Sequence, residues 1–209
     1  MRILEVERFD EQELLTRLAG TQLRGHGGAR VYQDADLQLC PPVHPDALAP
    51  AQRYVLEPGV RRILALREAL LPHGLDMFAL EGGAFVRTSH DPDAWVPVIP
   101  PVVEESHEPD GRTVFVINDG IHRAYAARSI GQRIAVVLAT DVPHEYPYYA
   151  LALPGGWNEV EALDELPDTY QKKEYRQPDN YKALFREFNA VFPGVQADRK
   201  ATNPEYLRA

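Results

Sequence analysis

The segment Thr113-Val114-Phe115-Val116-Ile117-Asn118-Asp119-Gly120-Ile121-His122-Arg123-Ala124-Tyr125-Ala126-Ala127-Arg128 changes character halfway along. Thr113 to Ile117 is an unbroken run of strand-forming residues, the pattern of a strand buried on both faces. Asn118-Asp119-Gly120 halts it. A helix then reads from Gly120 to Ile130, with small alanines on its inner face and Gly131 as its left-handed C-cap. A buried strand that passes into a helix through glycine gathers backbone N–H groups, a positive dipole end and a cationic pair at one spot. Such a spot suits phosphate.

The residue types support that chemistry. Gly120 has no side chain, so a ligand oxygen can approach its N–H closely and the chain can take a positive φ. His122 and Arg123 stand on the first helical turn, where a cation opposes the dipole unless an anion neutralises it. Arg123 offers a planar fork for two phosphate oxygens; His122 can donate a hydrogen bond or act as acid or base near neutrality. Asp119 can cap the helix or hold Mg²⁺ through water, capping being the commoner role.

Working outward, Asp10 with Glu13 forms a capping box for a helix through Leu14, Leu15 and Leu18 that ends at Gly20. Arg30 to Leu39 reads as a strand, and Cys40 to Pro50 as an irregular proline-rich stretch. An apolar stripe of Ile63, Leu64, Leu66, Leu70 and Leu71 predicts a helix from Gly59 to Leu71. Leu75–Leu80 and Ala84–Thr88 flank Glu81-Gly82-Gly83 as a hairpin. Val96 to Glu104 is strand-like, its prolines confining it to an edge or to strand ends, and Ile134 to Ala139 is the next strand. Helices are expected near Val160–Leu166 and from Asp179 to Phe192, with a polar, loose end from Ala197 to Ala209.

Composition bounds the function. A chain of 209 residues with 44% apolar and 25% charged residues can bury one good-sized core. No run reaches the length of a membrane span, and the acidic N-terminus does not read as a signal peptide. The single Cys40 excludes an internal disulfide framework and fits a cytoplasmic protein. A net charge of −9 argues against a general nucleic-acid binder. The basic residues between Lys172 and Lys200 read as a solvated helix face and tail.

The order Arg61–Leu71, Gly74, Ile99–Glu104, Thr113–Ile117, Asp119–Ile130, Gly131, Ile134–Ala139 resembles the ParB/sulfiredoxin-like superfamily. The likeness spans about residues 59–143, interrupted by an insertion from about 75 to 96 and followed by an extension over 144–209. It implies one domain over 1–209 of α+β class: a small mixed sheet flanked by helices, with extensions at both ends. Members include chromosome-partition CTPases, the ATP-dependent repair enzyme sulfiredoxin and free-serine kinases, which share a nucleotide-phosphate pocket at the signature helix. The resemblance therefore places Asp119, Gly120, His122 and Arg123 against a nucleotide such as ATP, ADP or CTP with Mg²⁺. Ile121 stands where sulfiredoxin carries its reactive cysteine, which argues against thiol chemistry. The Pro-, Tyr- and Gly-rich chain after Thr140 reads as no helix-turn-helix, which argues against a partition role and against DNA binding.

Turnover needs a base or metal ligand besides His122. Glu104 and Glu105, at the end of the neighbouring strand, are the candidates, with an exposed strand-end charge as the plainer alternative. Arg53 and Tyr54 precede the first matching helix and could reach the nucleotide. The Tyr146–Tyr149 cluster and Trp157 read as core covering the signature helix, and the other histidines have no metal-ligand spacing. The reading is a nucleotide-dependent phosphotransferase or NTPase acting on a small molecule. The alternatives are a nucleotide-sensing or regulatory module that keeps the fold without turnover and, ranked below it, a DNA-binding or nuclease ParB-like protein.

Overall fold

In a computed structural model, residues 1–195 of the protein are described. The chain runs β1 (Ile3–Asp10), α1 (Glu11–Ala19), β2 (Gln22–Leu23), β3 (Asp36–Val43), β4 (Tyr54–Leu56) and α2 (Glu57–Leu70). It continues with β5 (Gly82–Thr88), β6 (Asp91–Val98), β7 (Val102–His107), β8 (Thr113–Asp119), α3 (Ile121–Ser129) and β9 (Ile134–Thr140). After β9 come short 3-10 turns, β10 (Glu161–Leu163) and β11 (Arg186–Glu187). The fold is α+β.

A four-stranded sheet in the order β3-β9-β7-β8 forms the centre, with β7 and β9 parallel and the other pairs antiparallel. Its strands alternate between two buried faces. Val103, Ile117, Ile134 and Val136 join a core with Ala124, Ala126 and Ala127 of α3 and Val60 and Leu70 of α2. Val102, Val137 and Ala139 point the other way, against Leu14 and Leu18 of α1 and Phe188 and Phe192. Burial on both faces explains why β9 reads as a continuous apolar run. The expectation fails for the first half of β8, an edge strand in which Val116 and Ile117 are buried but Phe115 is 40% exposed. The alanine face of α3 lets that helix sit close on the sheet, and α1 is capped as its sequence requires, Asp10 accepting from the Glu13 N–H at 2.9 Å.

The segment 75–96 departs from expectation. Leu75 to Leu80 forms no strand, and β5 pairs instead with β1 and β6 in a separate antiparallel sheet ordered β1-β5-β6. Gly82 and Gly83 are therefore strand residues, not a turn. A Cβ on Gly83 would come within 2.3 Å of the Phe9 ring, so the pair of glycines serves close packing against β1. The prolines divide the expected Val96–Glu104 strand: β6, with Pro97, is a sheet edge, and Pro100 and Pro101 lie between β6 and β7. At the opposite margin, Pro41 and Pro42 fall inside β3, where the edge position and a register shift between Cys40 and Val43 tolerate them.

The two helices expected near Val160–Leu166 and over Asp179–Phe192 are not formed. The chain there moves in 3-10 turns at Gly156–Glu159, Tyr181–Leu184 and Phe188–Ala190, separated by β10 and β11. Leu184, Phe185, Phe188 and Phe192 have helix-like spacing, but buried tertiary partners override it. The basic stretch is accordingly not a helix face: Arg186 makes a buried ion pair with Glu104, and the half-buried Arg176 pairs with the buried Glu108. Its last charges, Asp198, Arg199 and Lys200, and the Ala197–Ala209 end lie outside the described residues.

Candidate functional site

The β8-to-α3 junction opens onto a cavity of about 540 Å³, within the range of small-molecule sites. Gly120 is the N-cap of α3 at φ 91° and ψ 24°, a left-handed conformation that disfavours a side chain. A Cβ here would meet Pro101 at 2.9 Å and the Arg123 guanidinium at 2.7 Å. The first-turn amides of Ile121, His122 and Arg123 precede the reach of any intrahelical carbonyl, which is the condition for anion binding at a helix start. Asn118, Asp119, Gly120, His122 and Arg123 all line this cavity.

The expected cationic pair is already engaged. Arg123 lies over Gly120, donates to the Ile99 carbonyl at 2.7 Å and pairs with the Asp119 carboxylate one turn away. Asp119 therefore does not cap α3 through its side chain; it neutralises Arg123. His122 accepts a 2.9 Å hydrogen bond at Nε2 from the Leu56 N–H. That bond fixes the proton on Nδ1 and gives α2 a cap that its own N-cap residue, Leu56, cannot provide. Burial pushes the His122 pKa below its ordinary value; the Asp119 charge opposes this and the Arg123 charge adds to it. His122 is thus a neutral donor, with the basic nitrogen spent on the backbone.

Glu104 and Glu105 do not line the cavity. Glu104 is on the face of β7 that looks toward the C-terminal segment, opposite Val116, and is buried rather than an exposed strand-end charge. Arg186 donates from Nε to Oε1 at 2.9 Å and from its second terminal nitrogen to Oε2 at 2.8 Å. Tyr32 and Asn118 donate to the same carboxylate, and Asn118 also donates to the Tyr32 hydroxyl at 2.7 Å. Burial works against the Arg186 charge, but Glu104 more than restores it, leaving the guanidinium pKa raised. Burial likewise raises the Tyr32 phenol well above its usual range. Glu105 points the other way, half-buried, 3.9 Å from His107.

The remaining cavity wall includes Tyr54, expected within reach of a nucleotide, and residues that the sequence did not point to. Arg62 on α2, Tyr54 on β4, and Gln52, Tyr149 and Lys173 contribute polar groups, while Ile63, Leu66, Met77 and Val96 make an apolar end. Arg53 does not line it and instead pairs with Glu159 at 3.0 Å. Lys173 donates to the hydroxyls of Tyr148 at 2.8 Å and Tyr149 at 2.6 Å. Trp157 packs beside Tyr125 of α3, with ring centroids 6.2 Å apart, as a core cover. The signal for Arg186 was present in the sequence as one arginine within Leu184-Phe185-Arg186-Glu187-Phe188. For Lys173 no local signal exists, because its place depends on the path of the extension.

Among the described residues no three His, Cys, Asp or Glu side chains gather as a metal site, and no helix is long and apolar enough to cross a membrane. No curated protein matches the chain. The family model described as the ParB CE domain matches residues 13–161 of the 209, from within α1 through β9 to the start of β10, and includes the whole β8-to-α3 junction. The chain belongs to the ParB CE domain family.

Proposed function

We propose that the cavity at the start of α3 binds the phosphate chain of a nucleotide, and that the protein is a nucleotide-binding module of ParB-like type. The observation that carries this is the charge balance at a glycine-opened helix start. Among the described residues three cations line the cavity (Arg62, Arg123, Lys173) against one carboxylate, Asp119, which Arg123 already neutralises. A phosphate there gains the amides, the dipole and the surplus positive charge together. The apolar end formed by Leu66, Met77 and Val96 gives a nucleoside a place to bury its ring.

The geometry favours binding over turnover. A phosphotransferase or NTPase needs a group to accept a proton from the attacking oxygen. His122 has committed Nε2 to Leu56, Asp119 is paired, and Glu104 is sequestered with Arg186. The same residues do not fit a protein-held Mg²⁺ site, since Asp119, the single lining carboxylate among the described residues, is occupied; magnesium would be held by the ligand's own phosphate oxygens. Isothermal titration with ATP and CTP, each with Mg²⁺, tests the reading. Saturable binding of either supports it, and no heat from either at millimolar concentration overturns it. Phosphate release abolished by His122→Ala would restore the phosphotransferase or NTPase reading.

A further inference from the structure

Lys173 belongs to the C-terminal extension, twelve residues past the end of the family match, yet it lines the cavity. Its ammonium is held in place: two of its three protons go to the Tyr148 and Tyr149 hydroxyls, and it sits 4.6 Å from the Tyr149 ring centroid. Burial raises the Tyr148 phenol well above its usual range, so that partner is a neutral hydroxyl and does not cancel the charge. Among the described residues neither Lys173 nor Arg62, the exposed cation on α2, forms an ion pair with a carboxylate. One N–H of a fixed, uncompensated lysine is left for a ligand.

The extension is pinned where this lysine enters. The Lys172 carbonyl accepts from the Arg53 N–H at 3.0 Å, while three residues further along the same wall the Leu56 N–H is bonded to His122 at the start of α3. At ~3.3 Å per residue of extended chain, these anchor points are roughly 10 Å apart. The α3 start and the Lys173 attachment are therefore two ends of one wall.

We propose that Lys173 is a specificity-determining residue of the cavity: it supplies a second anion position that selects a nucleoside di- or triphosphate over a monophosphate. This rests on the nucleotide-phosphate reading above. One phosphate seated on the α3 amides leaves the charges of Lys173 and Arg62 on the same cavity wall without an anion, and each further phosphate supplies one.

The test is titration of the full chain with AMP, ADP and ATP, and with the matching cytidine series, on wild type, Lys173→Gln, Lys173→Met and Lys173→Arg. Lys173→Gln keeps a donor for the two phenols while removing the charge, and thermal melting identifies any variant that has unfolded. Wild type should bind the di- and triphosphate at least tenfold tighter than the monophosphate. The Gln and Met variants should lose about ten- to a hundredfold of the di- and triphosphate affinity and at most severalfold of the monophosphate affinity, and Arg should recover part of the loss. A chain-length preference that survives Lys173→Gln, or wild type showing none, overturns the selection by Lys173 and leaves nucleotide binding standing. Wild type binding no nucleotide removes both readings.

Discussion

Glu104 and Arg186, eighty-two residues apart in the chain, meet in a two-pronged ion pair with bonds of 2.9 and 2.8 Å and almost no solvent exposure of either side chain. The carbonyls of Leu184, Tyr146 and Pro147 take the other guanidinium protons at 2.7, 2.8 and 3.1 Å, so the buried arginine is satisfied on every side. A buried pair of this kind is weak evidence of net stability, but removing one partner strands the other charge.

Arg186→Met should therefore destabilise the fold by about 3–5 kcal/mol, and the double change Glu104→Leu with Arg186→Met should cost less than either single change. Urea unfolding of the three variants measures this. Costs that simply add would show that the two groups act independently.

His122 couples pH to stability. Its folded pKa lies below the ordinary value of 6.5 because burial disfavours the charged ring. At pH values above about 6.5 the group is neutral in both states. As pH falls below that, the unfolded chain takes up a proton that the folded chain refuses, so stability declines with acidification. His122→Ala should abolish this component of the acid slope. It should also cost about 1 kcal/mol at neutral pH by removing the partner of the half-buried Leu56 N–H. Denaturation midpoints between pH 5 and 8 separate the two effects.

Gly120→Ala meets two obstacles at once, a left-handed φ of 91° and a Cβ 2.9 Å from Pro101. Strain of about 1–3 kcal/mol is expected, together with displacement of Arg123 from above the glycine. Thermal melting should fall, and nucleotide affinity should fall with it. A substitution that left both unchanged would show that the close approach at this turn is dispensable.

Asp119→Asn distinguishes two roles for one carboxylate. If Asp119 serves to hold Arg123, its removal frees a guanidinium into a cavity that has lost a negative charge, and phosphate affinity should rise severalfold. A magnesium-ligating carboxylate would give the opposite result. Titration with ATP in the presence and absence of Mg²⁺ decides between them, and a loss of only the magnesium-dependent affinity would refute the tether.

Much of the central sheet was legible in the sequence. The apolar runs of β8 and β9, the Asp10 cap and the Gly120 and Gly131 punctuation depend on neighbours within a few residues, and local patterns record them. The cavity position was legible for the same reason. What could not be read is which charge answers which. Arg123 and His122 were expected to face a ligand, but their partners, Asp119, Ile99 and Leu56, come from one turn away or from distant segments. Glu104 failed as a base because strand alternation turns it toward a C-terminal segment whose path no helix periodicity describes. The strand β1 was missed because its polar residues are exposed and only Ile3 is buried.

Alternate positions at the end of β7 carry Glu104, Ser106 and, just beyond it, Glu108, all buried. Glu104 receives Arg186, while Glu108 and Ser106 receive Arg176 at 2.6 and 3.0 Å. Both arginines lie past residue 161, where the family match stops. The packing of the central sheet therefore extends beyond the residues that the family shares. A chain cut at 161 would keep the family's signature but lose the counter-charges of both carboxylates and the aromatic cover of one sheet face, so it is expected to unfold at lower denaturant than the full chain.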